Sequence, residues 1–270
     1  MTPVTVITGA SAGIGAELAR VFAANGHTLV LVARREQRLT ALATEIAATG
    51  QPKPLVLPCD LALPDAAASI GQALATRALE PEYIVNNAGF GLIGRAADLD
   101  RAEQLGMIDL NVRALTDLSF SFIESLERHR GGVLNVASIA GVMPGPGSAV
   151  YYASKAYVLS LSEAMHCELK PRGIRVTCLC PGPVATEFQA RAGIPEAEPP
   201  WPLAQPAARV AAAGYRGLMR GRRVVVPGLV PKLMAALAPR ILPRALLLAL
   251  VEARQTKRQA KGQAKGQAGA

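Results

Sequence analysis

The feature that most restricts the fold is an alternation running from the first residues to about residue 227. Short runs rich in Val, Ile and Leu at 4–7, 28–32, 53–59, 83–86, 133–137 and 175–180 are separated by helically spaced segments, roughly 13–25, 36–49, 64–79, 100–130 and 150–171. A seventh run, 223–227, follows a helix that starts near Pro206. The apolar runs show little polar alternation, as expected of strands covered on both faces. Strands alternating with helices predict an α/β chain with a doubly wound, mostly parallel seven-stranded sheet. Connections are short up to about residue 228, so 1–228 reads as one domain.

The first strand–helix junction carries Thr8-Gly9-Ala10-Ser11-Ala12-Gly13-Ile14-Gly15. Glycines at 9, 13 and 15 permit a tight turn and close approach of backbone to a pyrophosphate. The following helix start offers free N–H groups and a positive dipole end. A strand, this turn and a helix together predict a dinucleotide site, and with the sheet a Rossmann fold. The second strand ends at Ala33-Arg34-Arg35 rather than at an acid. An acid there would bind both ribose hydroxyls of NAD, whereas arginines suit the 2′-phosphate of NADP. NADP is therefore the expected cofactor and NAD the less favoured one, with Arg34 ahead of Arg35 as the phosphate ligand. Asp60 and Leu61, after the third run, are candidates for the adenine edge. Asn86-Asn87-Ala88-Gly89, after the fourth, puts the small residues Ala88 and Gly89 where a cofactor would cross the sheet, and Asn87 could equally stabilise only its own loop.

Tyr151 lies thirteen residues beyond Ser138, and Lys155 is one helical turn further on. A phenol titrates near ~10, and a nearby cation favours its ionised form. Beside a hydride acceptor, such a pair can move a proton to or from an alcohol or carbonyl oxygen.

Taken together, T-G-x-x-x-G-x-G at 8–15, N-N-A-G at 86–89, Asn111, Ser138, Y-x-x-x-K at 151–155 and P-G-x-x-x-T at 181–186 resemble the short-chain dehydrogenase/reductase family, in its shorter branch. The resemblance covers residues 1 to about 228. It implies that Tyr151 is a general acid/base, and that Lys155 binds the nicotinamide ribose and lowers the tyrosine's pKa. Ser138 would hydrogen-bond the substrate oxygen, and Asn111 would hold a water relaying protons towards Lys155. Pro181, Gly182, Val184 and Thr186 would line the nicotinamide. Tyr152 competes with Tyr151 only by adjacency. The implied activity is hydride transfer between NADPH and a carbonyl or secondary alcohol. A catalytically silent NADPH-binding sensor or scaffold is the alternative, which the intact Asn111, Ser138, Tyr151 and Lys155 set disfavours.

Segment 187–205 holds Pro195, Pro199, Pro200, Trp201 and Pro202 and has no clear period. Its place after the sixth strand predicts a mobile substrate loop. Phe188, Trp201 and Met143 suggest an apolar small-molecule substrate. Beyond it, 229–254 reads as an apolar and basic helical appendage that prolines at 227, 231, 239 and 243 divide into short pieces. It could lie on an anionic membrane surface, pack on its own pocket, or join a second subunit in a homodimer or homotetramer. Residues 255–270, with a Gln-Ala-Lys-Gly repeat, read as a disordered basic tail.

The net charge of +9 is uneven: 1–208 hold 16 Lys and Arg against 19 Asp and Glu, and 209–270 hold 13 against one. The basic balance thus belongs to the tail, which lacks the aromatics that accompany nucleic-acid binding. A strand starting near the first residue leaves no room for a signal peptide, and no run reaches the ~18 apolar residues needed to span a bilayer. The cysteines at 59, 167, 178 and 180 lack zinc or redox spacing and read as buried reduced thiols. No metal site is expected. A cytoplasmic location, peripheral at a membrane if the appendage lies on one, follows.

Overall fold

The computed structural model describes residues 1–192, 204–241 and 243–253. Its strands are β1 (Thr2–Thr8), β2 (Leu29–Ala33), β3 (Leu55–Pro58), β4 (Leu79–Asn86), β5 (Gly132–Val136), β6 (Arg175–Leu179) and β7 (Val224–Val225). All pair in parallel, in the spatial order β3-β2-β1-β4-β5-β6-β7. The chain winds outward from β1 to β3, returns to the centre, and winds outward again from β4 to β7. The order reverses between β1 and β4, and the crevice at their carboxyl ends is where such sheets take ligands.

Successive strand residues point to opposite faces, and both faces are covered. Ile7, Leu31, Val85, Leu134 and Leu179 pack on Leu18 and Phe22 of α1 (Gly13–Ala24), Leu39 of α2 (Glu36–Ala48), and Val210 and Leu218 of α9 (Ala207–Met219). Val6, Val30, Ile84, Val133 and Val176 meet Ile70 and Leu74 of α3 (Ala66–Ala75), Leu118 of α5 (Leu115–Ser121), Leu126 of α6 (Ile123–Arg128) and Met165 of α7 (Ala149–Leu169). This two-sided burial is why the strand runs lack alternation.

Three boundaries differ from the sequence pattern. The third helix stops at Ala75, and β4 begins at Leu79, inside the stretch read as helix. Glu80, Pro81 and Glu82 break the apolar run that would have marked the strand. Pro81 sits beside the register shift between Val4 and Thr5, before pairing with β5 begins at Tyr83, so its missing N–H interrupts no ladder with β5. The long helix read at 100–130 is α4 (Arg101–Ile108), a π-helical stretch over Asp109–Ala114 that carries Asn111, then α5 and α6 separated at Phe122. Finally, α10 (Leu229–Ile241) runs through Pro231 instead of breaking there. Pro231 lies in its first turn, where an N–H has no helical partner to lose.

Residues 244–253 are helical as well. No helix among the described residues is long and apolar enough to cross a membrane. The short helix α8 (Phe188–Arg191) opens the segment read as a substrate loop. Its prolines at 195–202, Trp201 and the tail 255–270 fall outside the described residues. Cys178 and Cys180 are buried, but Cys167 on α7 is exposed, against the reading of four buried thiols, because its helix position faces outward.

A buried polar chain ties the centre of the sheet to two helices. Asn86 Nδ2 donates to Asn135 Oδ1 and to Ser119 Oγ, both at 2.9 Å. Asn135 Nδ2 donates to Ser162 Oγ at 3.0 Å. Removing one member orphans its neighbours in a low-dielectric interior. Asn135→Ala should therefore cost about 2–3 kcal/mol in urea unfolding. A loss below about 0.5 kcal/mol, the scale of a neutral surface change, would show that the chain of amides is not a structural tie.

Candidate active site

The crevice begins at the turn after β1. Gly9 has φ +63° and Gly13 φ +55°, a left-handed backbone that suits glycine. A Cβ on Gly15 would collide with Gly9 O and Asn87 Nδ2. The turn is latched to β4: Asn87 Nδ2 donates to Thr8 O at 3.0 Å and Gly9 O at 3.2 Å. Thr8 Oγ1 accepts from Asn87 N at 3.0 Å and Ala88 N at 3.1 Å. Helix α1 has Ala12 at its N-cap with no side-chain cap, so no side chain competes for its first N–H groups. Ile14 packs against the core beneath. The opposite wall is the segment after β6. Pro181 O accepts from Ile139 N at 3.0 Å, Gly182 abuts Pro231, and Val184 is buried and bridged to Gln205. Thr186 closes over the turn, with its Cγ2 3.0 Å from a Cβ placed on Gly13. Close-packed glycines, an uncapped helix start and a facing polar side chain fit a bound dinucleotide.

At the end of β2 the two arginines behave differently. Arg34 is 72% exposed and only 3.9 Å from Asp60 Oδ2. Arg35 turns towards the glycine loop, donating from Nε and Nη2 to Ser11 Oγ at 3.2 and 3.0 Å. This geometry places Arg35, rather than Arg34, beside the turn. Asp60 Oδ1 accepts from Ala62 N at 3.0 Å, whereas Leu61, 4% exposed, turns into the core and has only backbone to offer an adenine. Arg38 completes the cationic group through a shared partner, Glu187. Neither was singled out from the sequence. Arg38 had a signal in its i+3 spacing from Arg35 on α2, and Glu187 had none, being 152 residues away from Arg35 in the chain.

The four residues read as catalytic converge beyond the ends of β4 and β5. Ser138 lies just past β5 in extended backbone, and its Oγ accepts from Ala140 N at 3.1 Å. Its side chain also acts on the Tyr151 phenol, which stands in the first turn of α7, drawing its pKa down. Lys155, one turn on, is 5% exposed; its Nζ donates to Val136 O at 2.9 Å and lies 6.0 Å from the Tyr151 ring centre. Asn111 Nδ2 donates to Phe90 O at 2.9 Å and to Ser154 Oγ at 3.1 Å, and its Oδ1 accepts from Phe90 N at 3.1 Å. Gly89 passes so close that a Cβ there would be 2.8 Å from Asn111 Oδ1 and 3.4 Å from Lys155 Nζ. Tyr152 instead packs its ring against Gly145.

Burial governs the titration of both groups on α7. It pushes the Tyr151 phenol up to about 12, against the opposing pull of the Ser138 hydrogen bond. It pushes the Lys155 ammonium down to about 8, partly countered by the nearby Cys178 and Cys180 thiols. The expected tuning of the phenol by Lys155 is not the governing effect in this arrangement. At neutral pH the phenol keeps its proton and the ammonium its charge, which equips the pair to donate a proton. Helix α8 covers this end: the Phe188 ring centre is 5.5 Å from that of Tyr151. Arg191 stacks over Phe90 at 4.6 Å and bonds Glu103 at 3.0 and 3.1 Å.

Residues 3–196 match the family model described as short chain dehydrogenase. The chain belongs to the short-chain dehydrogenase/reductase family. It is therefore an oxidoreductase with a Rossmann-type, all-parallel sheet, of a family that binds nicotinamide cofactors. It is 38% identical over 191 residues to a protein named sulfoacetaldehyde reductase 2 from Chromohalobacter salexigens, covering 70% of this chain and 75% of that one. It is 34% identical to an NADP-dependent 3-hydroxy acid dehydrogenase from Salmonella typhi, covering 69% and 75%. A solved short-chain dehydrogenase from Sphingobium yanoikuyae in complex with NADPH superposes with a TM-score of 0.76 at 33% identity, covering 94% of each chain.

Proposed function

We propose that this chain is an NADP-dependent oxidoreductase interconverting a carbonyl and a secondary alcohol, with Tyr151 as general acid/base and residues 1–228 as the catalytic unit. The observation that carries it is the Tyr151 phenol, one turn from buried Lys155 and with its pKa drawn down by the Ser138 hydroxyl, at the ligand crevice of the sheet. When bound, NADPH supplies the hydride. Tyr151, kept protonated by burial, gives its proton to the substrate oxygen, and Ser138 donates a hydrogen bond to that oxygen as charge gathers on it. Lys155 holds positive charge beneath the phenol, and Asn111, fixed by Phe90 and Ser154, positions the relay behind it. Oxidation runs these transfers in reverse. The complete set disfavours the alternative of a silent NADPH-binding scaffold.

NADP is supported by Arg35 on Ser11 and by Arg38, which shares Glu187 with it, by the Salmonella relative's name and by the NADPH complex. Phe188 against Tyr151 and Pro231 beside Gly182 support an apolar substrate. The Chromohalobacter relative's name favours a second reading, a small anionic aldehyde. A panel of both substrate classes, followed by NADPH absorbance with NADH in parallel, separates them.

Tyr151→Phe should lower kcat by at least about a hundredfold, the scale of a lost acid/base, while NADPH affinity changes less than about twofold. Full turnover in this variant would rule the mechanism out. The lowered Lys155 value sets the pH dependence. The ammonium is charged below about 8 and neutral above it, so the positive charge that offsets negative charge gathering at the reacting oxygen is lost. The kcat/KM for reduction should thus fall as pH rises through about 8. A profile flat to about pH 9.5 would contradict that assignment.

The exposed Leu229, Val230, Leu233 and Leu237 of α10, with Leu246 and Leu250 beyond, support contact with a second copy of the chain. Removing 229–270 should lower the number of chains per particle in solution. Loss of co-sedimentation with anionic vesicles at an unchanged number of chains would favour the membrane instead.

A further inference from the structure

A carboxylate from one wall of the crevice sits on the cations of the other. Glu187 Oε2 accepts from Arg35 Nη1 at 2.7 Å, and Glu187 Oε1 accepts from Arg38 Nη1. The same Arg35 guanidinium holds Ser11 Oγ in the glycine turn. The two arginines hold the Glu187 carboxyl below its ordinary value, so it is ionised at neutral pH. All three side chains are about half exposed and thus accessible to a solute.

Glu187 is also the head of α8. Arg191 N donates to Glu187 O at 3.1 Å, and Ala192 N donates to Phe188 O at 2.9 Å. The other end of α8 is pinned by Arg191 on Glu103 and by Ala192 O, which accepts from Ile93 N at 3.1 Å. Between the pins, Phe188 leans on Tyr151.

A carboxylate and a phosphate monoester make the same demand on a guanidinium, paired anionic oxygens at hydrogen-bond distance. The phosphate carries about −1.5 to −2 at neutral pH against the carboxylate's single charge. It is therefore the stronger claimant for the same two arginines.

We propose that Glu187 is a built-in stand-in for the ribose 2′-phosphate, exchanging with it on Arg35 and Arg38, and that this exchange releases the head of the helix lying on Tyr151. The proposal rests on the NADP reading of those arginines. Its consequence is that cofactor choice and access to the tyrosine are coupled. A ligand with a 2′-phosphate displaces Glu187, and one without it leaves α8 pinned.

The test uses the full chain and Glu187→Gln, with adenosine 2′,5′-bisphosphate and adenosine 5′-monophosphate as probes. The variant should bind the bisphosphate roughly threefold to tenfold more tightly, the range that two exposed ion pairs permit, with monophosphate affinity unchanged. In the wild type, saturating bisphosphate should speed hydrogen exchange of the 187–192 amides, and monophosphate should not. In Glu187→Gln that exchange should already be fast. Bisphosphate affinity unchanged in the variant, or exchange at 187–192 unmoved in the wild type, overturns the proposal while leaving the NADP reading intact. Equal binding of both probes by the wild type defeats that reading itself, and the proposal with it.

Discussion

The structure depends on the separation of β1 from β4 as the chain changes winding direction. At that point two adjacent parallel strands send their continuations apart, and a crevice opens between them. The Thr8 hydroxyl and the Asn87 amide span it at the base, joining the ends of the two strands through four hydrogen bonds of 3.0–3.2 Å. They satisfy backbone groups that the diverging strands cannot pair with each other. The glycine turn is held at the depth where backbone, not side chain, lines the floor. Everything placed around that floor, from Ser11 to Thr186, inherits its position from this latch.

The chemistry is set by a second constraint, burial without loss of partners. Lys155 is almost wholly enclosed, yet its ammonium donates to Val136 O. An unpaired ammonium there would be strongly disfavoured, whereas a partnered one survives with a lowered pKa. Tyr151 is shifted in the opposite direction by the same burial, since its charged form is the anion. One low-dielectric wall therefore disfavours both charged forms at once, and Ser138 partly offsets this at the phenol, where a proton would leave. Asn111 gains its place from the π-helical stretch between α4 and α5, where departure from regular helix turns its amide towards Phe90.

Much of this was legible in the residues because local and global signals agree. The apolar runs mark strands wherever both faces are covered, and the glycines at 9, 13 and 15 mark a turn that side chains would block. The i, i+4 spacing of Tyr151 and Lys155 survives because α7 is regular through that stretch. What was hidden had competing or non-local causes. Pro81 between two glutamates disguised the start of β4, although its position costs the sheet no hydrogen bond to β5. Pro231 looked like a break but falls in a helix's first turn. Leu61 resembled a cofactor neighbour by its place after β3, yet its side chain completes the core under α3. The Ser11 hydroxyl, which draws the Arg35 guanidinium inward and leaves Arg34 in solvent, has no signature in the local sequence. No local pattern could have paired Glu187 with Arg35 and Arg38, because only the folded sheet brings those segments together.

The central claim is that a dinucleotide held by the glycine turn would present its hydride to a substrate carbon whose oxygen is held by Ser138 and Tyr151. The most direct measurement is the fate of label in a single turnover, using NADPH deuterated at the transferable C4 position and a prochiral ketone. The account predicts one deuterium on the new carbinol carbon, in a single stereochemical configuration, and none in product from solvent deuterium at that carbon. An unlabelled carbinol, or label scattered equally over both configurations, would show that cofactor and substrate do not meet in the pocket described.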